Sequence, residues 1–458
     1  MVASFCYDGL MNEMNYKTFF KGKKITMLGL GLLGRGVNVA KFLAELGAEL
    51  TITDMKDART LEQSLKQLKK FKNIRYVLEE HRLMDFQNCD MVIKAAGVPL
   101  NSPYIALAKK NKIPVEMDAS LFAKFTPATI VGVTGTRGKS TVTHLLAHIL
   151  DIAYPKHVFV GGNVRGMATL PLLKKTKVGD IVILELDSWQ LQGFGDAKIS
   201  PHVSVFTNFL SDHLNYYGGD MGKYFKDKQN IFKYQNEDEV LVLGEQVARE
   251  VKSRKCKVES EILVARNALV PKAWKIKILG EHNRANIACA ILVCQELEVP
   301  TSLIKKGVES FVGVPGRLEL VRTVGGVKYY NDTTATTPDG NRAALLALAD
   351  KKNKNIVLIA GGADKELCYT DMARLIHKTV KVLVLIEGAA TEKLLAKIPK
   401  TTSYPVYIVD NMKDAIDAAR EFAKKGDIVL LSPGAASFGV FKNEFDRGDQ
   451  FVKLVKKI

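Results

Sequence analysis

The sequence predicts an α/β protein of three domains, each a mostly parallel sheet wound with helices. Three observations carry this. Short β-branched and apolar runs alternate with apolar-periodic helical stretches from residue 24 onward, the βαβ pattern of parallel sheets. Two glycine-rich turns each join a strand to a helix, Gly29-Leu30-Gly31-Leu32-Leu33-Gly34 and Gly135-Thr136-Arg137-Gly138-Lys139-Ser140. A turn-rich hinge, Val312-Gly313-Val314-Pro315-Gly316, is followed by renewed strand and helix alternation. The 458 residues suit two to four domains. The expected divisions are 1–117, 118–314 and 315–458, with 1–21 lacking pattern and reading as a leader or short extension.

Composition narrows the classes. An apolar fraction of 47% and a charged fraction of 25% are those of a soluble globular protein. No apolar run reaches the ~18–20 residues that cross a bilayer. The first twenty residues lack the basic-then-apolar order of a signal peptide, so a cytoplasmic, membrane-free protein is expected. The six cysteines have no two-residue metal or redox spacing and read as reduced, mostly buried packing residues. The net charge of +17 comes mostly from lysines spread along helices. A solvated lysine surface accounts for it, and a basic cleft for a polyanionic small substrate is compatible with it. Without an arginine-rich or aromatic-interleaved stripe, nucleic acid is not the expected partner.

In the first domain, Lys24 to Leu28 reads as a strand, the glycine run as its turn, and the stretch to about Leu46 as a helix. Thr51 to Asp54 is the next strand, ending in an acid 20 residues after Gly34. This is the dinucleotide spacing, with glycines Gly29, Gly31 and Gly34 for the diphosphate and Asp54 for a sugar hydroxyl. The same chemistry suits a UDP-sugar. Asp90 to Lys94 is a further strand.

The second domain carries Thr134-Gly135-Thr136-Arg137-Gly138-Lys139-Ser140-Thr141, between an apolar strand and the helix beginning near Val142. Backbone amides at such a turn point at anionic oxygens, and Gly135 and Gly138 let the backbone approach. Lys139 can reach β/γ-phosphates and Ser140 can ligate Mg2+, giving an ATP or GTP site. Val133 stands where the strict pattern has a glycine, so the loop is a shortened variant. Glu185 ends a buried strand, as a metal ligand or a paired core acid. His213 follows the strand Ser200 to Phe206. Lys228 lies in a helix at a position periodicity makes solvent-exposed. Asn283 and Asn286 share a helix face and suit an adenine edge or a cap.

In the third domain, strands at Lys328–Asn331, Asn355–Ala360, Val380–Ile386, Tyr404–Val409 and Asp427–Leu431 predict a second doubly wound, parallel sheet of Rossmann-like type. Ligand contacts are expected at its strand-end loops, 361–365 and 432–437.

Taken together, the chain resembles the Mur ligases. The carrying residues are Gly135 to Thr141, Gly161-Gly162-Asn163, Glu185-Leu186-Asp187-Ser188-Trp189-Gln190-Leu191, Asp212-His213, Gly280-Glu281-His282-Asn283, Pro315-Gly316-Arg317 and the long run Ser432 to Gly448. The first glycine run and the 432–448 run resemble the D-glutamate-adding branch. The resemblance implies a monomeric, ATP- and Mg2+-dependent amide ligase of peptidoglycan synthesis, joining D-glutamate to UDP-N-acetylmuramoyl-L-alanine through an acyl phosphate. It implies that Leu32 and Leu33 amides meet the diphosphate, Asp54 lies near the uridine, and Asn163 lies near the nucleotide-sugar. Gly135, Thr136, Arg137, Gly138, Lys139, Ser140 and Thr141 would hold ATP phosphates, with Asn283 and Asn286 at the adenine and Arg317 and Asp332 also reaching ATP. Ser140, Glu185, His213 and a carbamylated Lys228 would be metal ligands, with Lys139, His213 and Lys228 catalytic. Thr336, Lys365, Ser437 and Phe438 would line the amino-acid pocket. Closure of the third domain is expected to complete the site.

Four positions depart from the family pattern. Arg137 stands for a usual Asn, Asp187 for Ser, Gly316 for His, and Thr334 for a Lys at the amino-acid site. Loss of that last cation bears on recognition of an acidic amino acid, and Lys365 is the residue that can compensate. A ligase adding another amino acid, including a folylpolyglutamate-type enzyme, is the alternative. An NAD dehydrogenase and a nucleic-acid NTPase fit less of the chain.

Overall fold

The computed structural model describes residues 15–32, 34–164, 166–350, 353–399 and 401–458. Residue contacts divide it into two compact units. The first runs to Phe209 and adds Gly222–Leu269 and Ala288–Lys305; the second comprises Leu210–Met221, Val270–Ile287 and Lys306–Ile458.

The first unit holds two sheets. Sheet 1 is β1 (Lys24–Leu28), β2 (Glu49–Asp54), β3 (Ile74–Leu78), β4 (Met91–Lys94) and β5 (Val115–Glu116), ordered β3-β2-β1-β4-β5 and all parallel. Sheet 2 is β6 (Thr129–Thr134), β7 (Val158–Gly162), β8 (Ile181–Glu185), β9 (Val203–Phe206), β10 (Val240–Gly244) and β11 (Glu261–Ala265). Its order is β11-β10-β9-β6-β8-β7, again all parallel. Every residue of β6 and β8 is buried, as a parallel strand covered on both faces requires. Helix Lys139–Ala153 packs Val142, Leu145, Leu146, Ile149 and Leu150 inward, an unbroken i, i+3, i+4, i+7 stripe.

The second unit holds sheet 3: β12 (Glu319–Val324), β13 (Val327–Asn331), β14 (Ile356–Gly361), β15 (Val380–Ile386), β16 (Val406–Val409) and β17 (Ile428–Leu431), ordered β12-β13-β17-β14-β15-β16. Alternate residues serve two cores. Leu358, Leu383, Leu385 and Leu430 pack on one face with Leu345 and Ile376. Val357, Ile359, Val384, Val429 and Leu431 pack on the other with Ile416 and Phe451.

The expected parallel third sheet needs one correction. β12 pairs antiparallel with β13 through a turn at Gly325 and Gly326, whose φ values are +57° and +81°. Its sequence Glu-Leu-Val-Arg-Thr-Val is an edge strand, half exposed, and shows too little apolar contrast to be read from pattern alone. β3 went unread for the same reason. Within the stretch 1–21 that shows no clear pattern, residues 16–20 form a helix whose Phe20 is buried against Phe42 and Phe125. Of the five described cysteines only Cys289 and Cys294 are buried, fewer than expected.

Candidate active site

The end of β6 turns sharply. Gly135 has φ +149°, and a Cβ there would lie 1.9 Å from the Thr207 hydroxyl; Gly138, at φ +82°, opens the helix. The turn is held from the end of β9. Thr207 Oγ1 donates to the Arg137 carbonyl at 2.5 Å, and Asn208 Nδ2 donates to it at 3.0 Å. Asn208 Oδ1 accepts from the Arg137 amide at 2.8 Å. The shortened loop is therefore pre-shaped by side chains, which lowers the ordering cost of binding an anion. Lys139 folds back, its Nζ donating to the carbonyls of Gly135 at 3.0 Å and Thr136 at 3.3 Å. Ser140 and Thr141 are buried at the helix start.

Lys228 corrects the expectation of solvent exposure. It is 1% exposed, and its Nζ donates to Gly135 O at 2.9 Å and Thr134 Oγ1 at 3.3 Å. Its ammonium also lies 5.0 Å from the Tyr224 ring centroid. Helix Met221–Gln229 turns Tyr224, Phe225 and Lys228 inward as one face, and the Gly135 carbonyl, the Thr134 hydroxyl and the ring compensate the buried cation. Periodicity treats lysine as a surface residue and misses such a face.

Glu185 ends β8 in register with Val133 and Gly162, and is buried. Sheet 2 thus gathers Lys139, Ser140, Glu185 and Lys228 at the carboxyl ends of β6 and β8 and the helix beside them, where ligands of open α/β sheets collect. His213 belongs to the second unit, with left-handed φ +55° and its amide on Asp212 Oδ1 at 2.9 Å. The four expected metal ligands therefore divide between the units. No cluster of three His, Cys, Asp or Glu suited to a metal occurs among the described residues. Ser140 and Glu185 nevertheless offer hard oxygen donors beside the phosphate loop, as Mg2+ takes.

In sheet 1, Gly29, Gly31 and Gly34 have φ of +94°, +70° and +81°. Asp54 shapes this turn directly. Its Oδ2 accepts from the amides of Leu30 at 2.9 Å and Gly31 at 3.1 Å, and its Oδ1 from Lys56 N at 3.0 Å. Burial opposes its charge, but the backbone donors and Lys56 outweigh that and hold its pKa below the ordinary value. Leu32 is exposed near the tip, and Leu33 lies outside the described residues. Asn163 follows β7, its amide on Glu185 O at 2.6 Å.

In the second unit, Asp332 braces two strand ends. Its Oδ1 accepts from Leu318 N at 3.1 Å and its Oδ2 from Ser432 Oγ at 2.8 Å. Arg317 lies in the turn before it, with its amide on Val314 O. Lys365 Nζ donates to Thr336 Oγ1 at 3.2 Å and lies 3.8 Å from Asp212 Oδ1. Two expected amino-acid-site residues are thereby brought together. Ser437 is buried, while Phe438 is 65% exposed. Thr334 donates its hydroxyl to Gly316 O at 3.0 Å, so two of the departing positions contact each other. Asn283 and Asn286 pair, Asn286 Nδ2 donating to Asn283 Oδ1 at 3.0 Å while Asn283 Nδ2 donates to Leu279 O at 2.7 Å.

Sequence reasoning gave no role to Thr207 and Asn208, although polar residues directly after a buried strand are the available signal. It also missed two buried cations. Arg447 is fully buried, donating to Thr333 O at 2.8 Å, Thr333 Oγ1 at 3.2 Å and Ala435 O at 3.2 Å. It ties the loops that carry Thr336 and Ser437, and burial lowers its pKa to about 10. Lys94 caps the turn after β4 through Val98 O at 3.2 Å; burial lowers its pKa to about 8 against the pull of Asp187 and other acids.

Comparison with known proteins agrees with this geometry. Family models match in chain order: the Mur ligase MurD-like N-terminal domain over 23–116, the Mur ligase middle domain over 133–267, and the Mur ligase glutamate ligase domain over 316–434. A UDP-N-acetylmuramoylalanine–D-glutamate ligase of Roseiflexus sp. is 37% identical, over 95% of this chain and 98% of that protein. One of Borreliella burgdorferi is 35% identical over 96% and 98%. Among solved structures, the UDP-N-acetylmuramate-alanine ligase MurC of Thermotoga maritima aligns with TM-score 0.61 at 20% identity, covering 95% of this chain and 99% of that one. MurF ligase of the same organism, solved with ADP, aligns with TM-score 0.58 at 18% identity over 96% and 97%. With two phosphate-type turns in order, a buried lysine on the second of them, and relatives that run nearly its whole length, this chain belongs to the Mur ligase family.

Proposed function

We propose that this protein is an ATP-dependent ligase that adds D-glutamate to UDP-N-acetylmuramoyl-L-alanine in peptidoglycan synthesis. The observation that carries the reading is the loop of β6, where Lys139 and Lys228 converge on one carbonyl at the start of a helix, beside Glu185. End-to-end similarity to D-glutamate ligases selects the substrate. The proposed reaction is the one the family resemblance implies. The substrate carboxylate attacks the γ-phosphorus of ATP, ADP leaves, and an acyl phosphate forms. The amine of D-glutamate then attacks the acyl carbon, and phosphate leaves.

Gly135 to Thr141 take the ATP phosphates, and Lys139 can swing from its carbonyls to offset their charge. Ser140, Glu185, His213 and Lys228, once carbamylated, are the proposed holders of Mg2+, which when bound neutralises charge on the phosphoryl oxygens. Asn283, Asn286, Arg317 and Asp332 serve ATP. The first glycine turn, Asp54 and Asn163 serve the nucleotide-sugar. Thr336, Lys365, Ser437 and Phe438 serve the amino acid. The division at residues 117 and 314 belongs to this reading, supported by three consecutive family matches. So does a monomer working in the cytoplasm; no helix among the described residues is long and apolar enough to cross a membrane.

The test is phosphate release from ATP and Mg2+ with UDP-N-acetylmuramoyl-L-alanine, adding amino acids in turn. Release that requires D-glutamate supports the reading. Release with another amino acid moves the specificity, and none with well-folded protein overturns the nucleotide-sugar assignment.

A further inference from the structure

Arg35 follows Gly34 and begins helix Arg35–Glu45, directly after the first glycine turn. Its guanidinium reaches from sheet 1 to the segment that leaves β7 of sheet 2, within the same compact unit. Nη2 donates to Asn163 Oδ1 at 3.1 Å, and Nε donates to the Met167 carbonyl at 3.3 Å. The flanks of that segment are anchored separately. The Asn163 amide is on Glu185 O at 2.6 Å, and Gly162 N donates to Thr169 Oγ1 at 2.8 Å. The half-buried Asp118 accepts from the amides of Thr169 at 2.9 Å and Leu170 at 2.6 Å. These bonds fix where the segment begins and ends. The Arg35 bonds fix its middle and the rotamer of Asn163.

The chemistry of the pair sets what Asn163 can recognise. A guanidinium has donors and no acceptor, so the carboxamide atom facing it is the oxygen. The edge left for a ligand is Nδ2, a donor only. Asn163 so held recognises an acceptor oxygen, such as that of a diphosphate or a sugar substituent, and discriminates against a donor.

We propose that Arg35 is a positioning residue for the nucleotide-sugar. By holding Asn163 Oδ1 and the Met167 carbonyl, it presents Asn163 as a hydrogen-bond donor to an oxygen of the UDP-linked substrate, and it keeps that segment in place beside the glycine turn. The proposal rests on the functional reading above and adds to it a residue that the family resemblance did not supply. Lysine is a poor replacement because a single ammonium lacks the planar fork that spans both acceptors.

The experiment compares wild type with Arg35→Ala, Arg35→Lys and Asn163→Asp in the full chain. Arg35→Ala is expected to raise KM for UDP-N-acetylmuramoyl-L-alanine about tenfold, with kcat and KM for ATP and D-glutamate changed less than about twofold. Arg35→Lys falls between. Asn163→Asp keeps a partner for Arg35 but lacks the Nδ2 donor, so the same KM rises while the segment stays in place. Hydrogen exchange without ligand separates these cases: residues 163–169 exchange faster in Arg35→Ala and at the wild-type rate in Asn163→Asp. An unchanged KM for the nucleotide-sugar in Arg35→Ala, or equal rises for all three substrates, overturns the proposal. Unchanged exchange at 163–169 in Arg35→Ala overturns the clamp whatever the activity. Wild type that releases no phosphate with the nucleotide-sugar overturns the functional reading beneath it.

Discussion

Lys228 Nζ lies 2.9 Å from the carbonyl oxygen of Gly135, the oxygen that Lys139 Nζ also meets at 3.0 Å. Two ammonium groups thus brace one peptide of the phosphate loop. Lys228→Met would leave acceptors of Thr134 and Gly135 short of a donor in a buried setting. The expected cost is about 1–3 kcal/mol in urea unfolding, with phosphate release reduced about a hundredfold. Unchanged release would remove Lys228 from the machinery.

Lys365 contacts Thr336, whereas the Thr334 hydroxyl is already given to Gly316 O. Lys365→Met should therefore raise KM for D-glutamate about tenfold or more and spare KM for ATP. Thr334→Val should cost about 1 kcal/mol of stability and change KM for D-glutamate less than about threefold. The reverse ranking in steady-state kinetics would place recognition of the acid at Thr334.

Gly162 has φ +82°, and a Cβ there would lie 2.1 Å from the Glu185 carbonyl. Gly166, at φ +72°, has no atom within 4 Å of such a Cβ. Gly162→Ala should cost about 3 kcal/mol, combining left-handed strain with backbone overlap. Gly166→Ala should cost about 1 kcal/mol from strain alone. Chemical denaturation of both reads the difference, and equal costs would show that strand spacing at Glu185 yields freely.

His202 is buried, its Nδ1 accepting from Ile130 N at 2.9 Å, and burial lowers its pKa to about 4. The unfolded chain takes up the proton near pH 6.5. Between those values the unfolded state binds more protons, so stability is full above pH 6.5 and falls as pH drops toward 4. The loss approaches about 3 kcal/mol. His202→Asn should flatten this limb in denaturation midpoints measured from pH 7 to 4, and an unaltered limb would assign it to other groups.

Much of the architecture was legible because buried parallel strands such as β8 and β15 are nearly continuous apolar runs, each with one charged residue, and because glycine turns mark the joints. β3 and β12 were not legible, since half-exposed strands mix Arg, Glu and Thr among their apolar residues. The placement of Lys139, Ser140 and Glu185 at the ends of β6 and β8 could be read from position alone. The burial of Lys228 could not, because its compensation comes from the Gly135 carbonyl and the Thr134 hydroxyl, 93 and 94 positions away. The same holds for Arg447, whose partners are the main chain of Thr333 and Ala435, and for Arg35, whose partner lies on another sheet. Backbone acceptors leave no mark in a sequence.

The place of β17 in sheet 3 has a consequence for how the chain reaches its native state. β17 lies between β13 and β14, and its Ile428 pairs with both Lys328 and Ile356. Until residues 428–431 arrive, β13 and β14 have no ladder between them, and the sheet exists as two pieces with open inner edges. The ladders that join them pair residues 100 and 72 positions apart, long-range contacts of the kind that form slowly. During that interval the unfilled slot is where an emerging chain is most open to capture by a chaperone or by a foreign strand.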